Sequence, residues 1–193
     1  MSKNSKEALL AAAKRTAQAH GYTGLNFRDL AKEVGIKAAS MYHHFPSKAD
    51  LGAAVARRYW EDTKAELDAM LAEGWEPARY LRHYPQIFRR SLESDNRLCL
   101  GSFMSAEYDD LPEPVKKEVQ AFADVNVAWL SKVLSDAGVT GPKESEERAR
   151  AIFAAVAGAQ LLARSRSDIS LFDELIAIAW LDSYRRRRSG VYF

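Results

Sequence analysis

The chain has 193 residues, of which 47% are hydrophobic, so it is long enough to bury a sizeable core and to form one small domain and one larger domain. No apolar run approaches the roughly 18 residues of a membrane span, Met1 is not followed by a secretory signal, and a single cysteine excludes an internal disulfide; we therefore expect a cytoplasmic protein without a membrane partner. The net charge of +2 is unevenly spread, because residues 1–48 carry +5 and the remainder carries −3, and a basic end predicts attraction to phosphate.

The first predicted helix covers about residues 5–20, and residues 26–48 then predict two short helices that meet at Gly35. Asn26 is a good N-cap, Gly35 supplies the left-handed backbone that a tight turn needs, and Pro46 ends the second short helix. That helix carries small, hydroxyl, aromatic and imidazole side chains where an exposed helix usually carries charges. The pattern is typical of a helix-turn-helix, whose second helix lies close against a DNA groove. The sequence therefore predicts a protein that binds duplex DNA.

Met41 and Phe45 lie four residues apart and are expected to face inward, which leaves the opposite face of this helix free. Its first residues are expected to touch base edges, and the other polar side chains are expected to hold the DNA backbone. The predicted DNA-binding residues are Thr23, Arg28, Lys37, Ala39, Ser40, Tyr42, His43, His44 and Lys48. An ordinary solvated surface is the alternative for each, and His44 has the further alternative of packing beneath the helix. Adjacent histidines face different directions, so no metal site is expected here.

Six further helices are predicted from the apolar periodicity, at about residues 47–72, 77–92, 98–108, 112–137, 143–166 and 170–187, with a possible kink at Pro85. No alternating strand pattern occurs. The sequence thus predicts an all-α protein of about nine helices. We expect an N-terminal three-helix helix-turn-helix domain at 1–47 and a C-terminal helical domain at 48–193.

Residues 35–51, Gly-Ile-Lys-Ala-Ala-Ser-Met-Tyr-His-His-Phe-Pro-Ser-Lys-Ala-Asp-Leu, closely resemble the DNA-binding signature of TetR-family transcriptional regulators. The run Tyr-His-His-Phe-x-x-Lys with a following Leu is its most specific part. The signature covers about a quarter of the chain, and beyond it the resemblance is one of length and helical layout. The resemblance implies a ligand-responsive repressor that leaves its operator when a small organic effector binds, and it implies phosphate contacts from Tyr42 and Lys48.

The resemblance also implies an effector pocket among the middle helices, where aromatic walls with a few polar groups are typical of such cavities. The predicted lining residues are Trp60, Tyr84, Phe88, Cys99, Phe103, Met104, Glu107, Phe122 and Trp129. Glu107 and Arg97 are the polar groups expected to face the ligand. A plain core position is the alternative for each of the apolar residues.

The last two predicted helices carry a long apolar stripe and several small residues, which let helix axes approach closely. Family members dimerise by packing these helices into a four-helix bundle, so the resemblance implies a homodimer. The predicted interface residues are Ile152, Phe153, Val156, Gln160, Leu171, Leu175, Ile178 and Trp180. The alternative is that the stripe belongs to the core of a single subunit.

Cys99 lies at the start of a predicted helix and near Arg97, which are conditions that favour a thiolate. Residues 97–112 are also similar to a TetR subgroup that includes electrophile-sensing repressors with a reactive cysteine in this stretch. One hypothesis is therefore that an electrophile reacts at Cys99 and weakens operator binding. The alternative is a buried, inert cysteine that acts as a small hydrophobic side chain.

Two other functions remain open at this stage: an effector-independent regulator or activator of the same fold, and a helical enzyme. The enzyme has little support, because the four histidines are scattered and no Ser/His/Asp grouping or glycine-rich phosphate loop occurs. We therefore expect no catalytic residues, no metal and no cofactor. The run 185–188 of four arginines complements a helix C-terminus, and a second nucleic-acid or membrane contact is its alternative.

Overall fold

A computed structural model describes residues 3–138 and 141–189, and in these two ranges it contains ten α-helices, one 3-10 turn and no strand. The helices are α1 (Lys3–His20), α2 (Phe27–Val34), α3 (Ala38–His44), α4 (Lys48–Ala72), α5 (Pro77–His83), α6 (Gln86–Glu93), α7 (Leu100–Ala106), α8 (Glu113–Asp136), α9 (Pro142–Arg166) and α10 (Ile169–Ser189), and the 3-10 turn is Tyr108–Asp110. The predicted all-α class is confirmed. No helix within the described ranges is long and apolar enough to cross a bilayer.

The helix predicted at 77–92 is divided into α5 and α6 at Pro85. Proline has no backbone N–H, and its ring clashes with the carbonyl of the preceding turn, so a continuous helix is disfavoured there. The helix predicted at about 98–108 is shorter in the structure, where α7 begins at Leu100 and ends at Ala106. Asp95 and Asn96 have positive φ values of 59° and 53°, and Cys99 is the N-cap residue.

The chain divides into two compact units, one formed by the residues up to Glu73 together with Cys99–Asn126, and the other by Gly74–Leu98 together with the residues from Val127 onward. The first unit contains the helix-turn-helix segment, and its core includes the fully buried side chains of Leu9, Leu30, Met41, Leu51 and Leu67. The boundary between two functional domains at residues 47 and 48 stays a prediction.

Local caps account for the geometry of α2 and its junction with α3. The Asn26 side chain accepts hydrogen bonds from the backbone N–H groups of Arg28 at 2.8 Å and Asp29 at 3.4 Å, and so satisfies donors that the first helical turn leaves open. Gly35 ends α2 with φ at +75°, a conformation that glycine adopts without a steric penalty. The chain therefore turns tightly at the position expected from its sequence.

In the first unit, α4 is tied to α8 by a largely buried carboxylate. Glu118 accepts hydrogen bonds from the guanidinium of Arg57, at 2.5 Å and 3.0 Å, and from the indole nitrogen of Trp60 at 2.8 Å. Burial acts to raise the pKa of Glu118, but the hydrogen bonds from Arg57 and Trp60 and the charge of Arg57 together outweigh it, so the pKa lies below its ordinary value of 4.5. Glu118 therefore stays ionised in the folded protein at neutral pH.

We expect Glu118→Gln to lower the free energy of unfolding at pH 7 by about 2 kcal/mol, because hydrogen bonds to a charged group are lost. A depressed pKa contributes stability above the pKa of the unfolded chain and loses it as the pH falls through the folded-state pKa. The difference between the two proteins should therefore shrink below pH 4.5, the ordinary value, in urea titrations at several pH values.

Glu113→Gln provides the matched control, because Glu113 lies on the same helix and pairs with Lys116, but its own side chain is 79% exposed. Its effect should stay below about 0.5 kcal/mol at every pH. A pH-independent loss in the Glu118→Gln variant would contradict the assigned ion pair.

The second unit contains α5, α6, α9, α10 and the second half of α8, around a cluster of aromatic side chains. Tyr84 is fully buried and stacks on Trp129, with ring centroids 5.7 Å apart, and Phe88 contacts Phe153 at 6.1 Å. The amide of the buried Gln160 donates to the backbone carbonyl of Phe88 at 2.6 Å. These contacts attach α9 to α6 and fix which face of α9 points inward.

Candidate nucleic-acid interface

The exposed face of α3 is fixed by what its other face buries. Met41 is fully buried and Phe45 is 3% exposed, so this side of the helix and its C-cap residue anchor α3 to the core of the first unit. The opposite side is left in solvent, with Lys37, Ala39, Tyr42 and His43 exposed and Ser40 half-buried. The structure thus places these five predicted DNA-binding residues along one accessible surface.

Tyr42 is the most conspicuous group on this surface, because 60% of the side chain is exposed. Its ring lies 5.1 Å from that of Phe27, between centroids, so the tyrosine is supported from α2 while its outer part stays in water. Tyrosine combines an apolar body with a hydroxyl that donates and accepts hydrogen bonds. An exposed, supported tyrosine is suited to contact a polar partner such as a DNA phosphate.

A shallow, open depression adjoins Tyr42. It is lined by Leu25, Asn26, Phe27, Arg28, Tyr42 and Lys48. The ammonium of Lys48 donates to the carbonyl of Thr23 at 2.9 Å and lies 4.8 Å from the centroid of the Tyr22 ring. Two cations and a phenol hydroxyl thus surround one concave surface, an arrangement that attracts a phosphate group.

Thr23 and His44 are two further residues predicted to contact DNA. Thr23 is exposed, with its hydroxyl 3.4 Å from the carbonyl of His20. His44 is half-buried, its ring centroid lies 6.4 Å from that of Phe45, and its Nε2 atom is buried without a hydrogen-bond partner. His44 therefore packs partly beneath α3, as in the alternative to a DNA contact that the sequence offered for this residue.

The predicted pocket residues fall into both units. In the first unit, Cys99, Met104 and Phe122 are buried and Phe103 is half-buried, and the Trp60 indole is bonded to Glu118. In the second unit, Tyr84, Phe88 and Trp129 are buried in the aromatic cluster. Glu107 differs from expectation, because its carboxylate accepts a hydrogen bond from the backbone N–H of Tyr22 at 2.8 Å instead of facing a ligand. Arg97 pairs with Asp95 at 3.1 Å.

Cys99 is buried, and its sulfur acts as a helix cap. The Sγ atom accepts from the backbone N–H of Ser102 at 3.3 Å, and its thiol donates to the Ser102 hydroxyl at 2.9 Å. Burial raises the pKa of the thiol to about 11, since it outweighs the hydrogen bonds with Ser102, which act in the opposite direction. The helix start and Arg97, which were expected to favour a thiolate, are thus overcome by desolvation.

We therefore expect Cys99 to react slowly in the native protein. A pKa near 11 in place of 9.0 lowers the thiolate fraction at neutral pH, and with it the alkylation rate, by about 100-fold. Iodoacetamide labelling followed by mass spectrometry should show this deficit relative to the urea-unfolded chain, and the native rate should rise about tenfold per pH unit. Rapid stoichiometric labelling of the native protein would contradict the assignment.

The residues predicted for a dimer interface lie on two different faces. Val156 and Gln160 are buried within the chain's own second unit, where Gln160 bonds to the Phe88 carbonyl, so these two are core residues of the single subunit. Ile152, Phe153, Leu171 and Leu175 are half-buried, and Ile178 is 60% exposed. The side chain of Trp180 and those of the arginine run 185–188 lie outside the described residues.

A second, exposed stripe lies on the other side of α9, and its residues are not among those predicted for the interface. Leu161 and Leu162 are 56% and 52% exposed, and they continue a row of small exposed residues, Ala154, Ala155 and Gly158. The small residues are visible in the sequence, but the periodicity of α9 fits two neighbouring faces. Only the packing against α6 decides between them.

The described part of the chain contains no group of three or more His, Cys, Asp or Glu side chains placed to hold a metal ion.

Comparison with known proteins identifies the same segment. Residues 9–55 match the family model described as bacterial regulatory proteins, tetR family. The HTH-type transcriptional repressor NemR of Escherichia coli strain K12 is 29% identical over 172 residues, which cover 85% of this chain and 86% of NemR.

Solved structures agree over nearly the whole chain. A TetR transcriptional regulator from Legionella pneumophila superposes with a TM-score of 0.85 at 29% identity, covering 92% of this chain and 96% of the other. The reduced form of Escherichia coli NemR has a TM-score of 0.79 at 26% identity, covering 90% and 94%. The motif, the fold and the relatives agree: residues 9–55 match the tetR family model, and the chain is similar over nearly its whole length to TetR-family DNA-binding transcriptional regulators.

Proposed function

We propose that this protein is a repressor that binds its operator as a homodimer through α3 of each subunit and is released by a small organic effector. The observation that carries the proposal is the outward face of α3, where Tyr42 is 60% exposed next to the depression that Arg28 and Lys48 line. Lys37, Ala39 and Ser40 lie at or near the start of α3 and are the residues proposed to touch base edges. Tyr42, His43 and Lys48, with Thr23 and Arg28, are proposed to hold the phosphates.

The homodimer is proposed to form through α9 and α10. Exposed Leu161, Leu162 and Ile178 offer apolar area, and Ala155 and Gly158 allow a second helix to approach closely. A two-fold axis would present two copies of α3 to successive major grooves, about 34–36 Å apart. Such a protein works where it meets DNA, in the cytoplasm.

The repressor assignment is supported by the similarity to NemR, whose name describes a transcriptional repressor. The effector is proposed to bind in the domain that begins at residue 48, among the aromatic side chains predicted for the pocket. It must bind the DNA-free conformation more tightly than the DNA-bound one, because equal affinity for both shifts nothing. The buried thiol of Cys99 does not favour electrophile sensing over reversible ligand binding.

The test begins with the selection of an operator from randomised duplex DNA by the purified protein. Affinity for the selected duplex and for a shuffled duplex is then measured by fluorescence anisotropy from about 50 to 200 mM KCl. We expect strong preference for the selected sequence, and steep weakening with salt. Failure to enrich any sequence would contradict DNA-specific binding, and an operator complex that no compound of a broad aromatic and aliphatic library dissociates would favour the effector-independent alternative.

A further inference from the structure

The C-terminal end of α7 is bonded to the turn between α1 and α2. Glu107 is the C-cap residue of α7, and its Oε2 atom accepts a hydrogen bond from the backbone N–H of Tyr22 at 2.8 Å, while its Oε1 atom lies 3.5 Å from the Thr23 hydroxyl. The carboxylate fills the space beside Gly21, where an added methyl group would lie 2.1 Å from Oε1. A carboxylate from a distant part of the chain therefore fixes this turn.

The same turn holds Lys48. The Thr23 carbonyl accepts a hydrogen bond from the Lys48 ammonium at 2.9 Å, and the ring of Tyr22 lies beneath that ammonium. The two residues that Glu107 binds are thus the two that position Lys48. A lysine side chain loses conformational entropy when it is immobilised, so an ammonium that is already in place binds a phosphate at lower cost.

We propose that Glu107 is a positioning residue for DNA binding, which acts through the Tyr22–Thr23 turn to hold the Lys48 ammonium where a DNA phosphate meets it. This inference rests on the function proposed above. Glu107 does not itself contact DNA in this account. Because it ends α7, a displacement of that helix withdraws the support of Lys48. The contact therefore links Phe103 and Met104, two residues of α7 proposed for the effector pocket, to the DNA surface.

The negative charge of Glu107 and its proposed role in positioning Lys48 predict opposite effects on DNA affinity when Glu107 is removed. Removal of a negative charge near DNA should strengthen binding, whereas loss of the support for Lys48 should weaken it. The slope of log K against log[KCl] is negative, and we expect Glu107→Ala to make it shallower by about 0.9 for each bound subunit. That is the value of one phosphate contact. The corresponding loss is about eightfold in affinity per subunit near 0.1 M KCl.

A double-mutant cycle tests the route through Lys48. Lys48→Ala should produce the same change in slope, and the double variant should bind the selected operator no more weakly than Lys48→Ala alone. Asp109→Ala is the control for charge, since Asp109 lies two residues beyond Glu107 and is exposed; its slope should equal that of the wild type. Glu107→Gln retains an oxygen that accepts from Tyr22, so it should restore the wild-type slope.

Gly21→Ala disrupts the contact between Glu107 and the turn without changing Glu107 itself, because the added methyl displaces the Glu107 carboxylate. Its control is Gly74→Ala, which has a similar positive φ of 65° with no atom within 4 Å of the added methyl. Only the Gly21 variant should make the slope shallower. This pair keeps the test decisive if Glu107→Ala does not fold.

Additive losses in the double variant, or an unchanged slope in folded Glu107→Ala or Gly21→Ala protein, would overturn the proposal. Either result, with wild-type operator binding intact, leaves the proposed function standing. A wild-type protein that does not distinguish its selected operator from shuffled DNA would overturn both.

Discussion

Ala39→Glu is expected to abolish operator binding while the protein stays folded. Ala39 is exposed on α3, and the substitution would direct a carboxylate from each subunit toward the DNA bases and their flanking phosphates. Like charges brought together at an interface cost several kcal/mol, so we expect a loss of affinity of about 100-fold or more. Anisotropy with the selected operator at constant KCl measures the loss, and thermal unfolding should show little change.

Ala65→Glu is the matched control, because Ala65 is an exposed alanine in the interior of α4. It adds the same charge and the same side chain away from the proposed groove contact. Its affinity should remain close to that of the wild type. Comparable losses in both variants would show that net charge, and not the placement of α3, governs binding.

Ala155→Arg is expected to separate the subunits and, as a consequence, to weaken operator binding. Ala155 lies on the exposed row of small residues on α9, next to Gly158. A homodimer that packs this row against its two-fold copy would bury two unpaired guanidinium groups, and an uncompensated buried charge costs about 3–5 kcal/mol. The dimer dissociation constant should rise by about 100-fold or more, as measured by analytical ultracentrifugation across a dilution series.

Ala128→Arg tests whether an added arginine alone has this effect, since Ala128 is an exposed alanine on α8. It should sediment as the wild type does. A Gln160→Leu variant separates the two faces of α9 further, because Gln160 is buried within the subunit; it should lower stability without changing the dimer dissociation constant. A dimer that persists unchanged in Ala155→Arg would place the interface elsewhere.

The helix-turn-helix segment was predictable because its signals are local. The Asn26 cap, the Gly35 turn and the Pro46 stop each depend on a few neighbouring residues, and the structure places α2 and α3 where these residues indicate. Met41 and Phe45 lie four residues apart and therefore share the buried face of a helix with 3.6 residues per turn, which leaves the opposite face exposed. The break at Pro85 was visible as a possible kink and is a full helix boundary.

The features that the sequence left open or placed differently are those that depend on long-range packing. The apolar stripe of α9 fits two faces, and only the bond of Gln160 to the Phe88 carbonyl shows that Val156 and Gln160 face inward. The state of Cys99 depends on burial, which outweighs the local features that favour ionisation. The contact of Glu107 with Tyr22 joins residues 85 positions apart, and no local sequence pattern predicts it.

Methylation interference on the selected operator tests most directly whether α3 lies in the major groove, on which operator recognition depends. Methyl groups at guanine N7 lie in the major groove, whereas those at adenine N3 lie in the minor groove. We predict that N7 methylation blocks binding at two sets of positions related by two-fold symmetry and separated by about 34–36 Å along the DNA. Interference confined to adenine N3, or complete insensitivity to N7 methylation, would contradict the placement of α3.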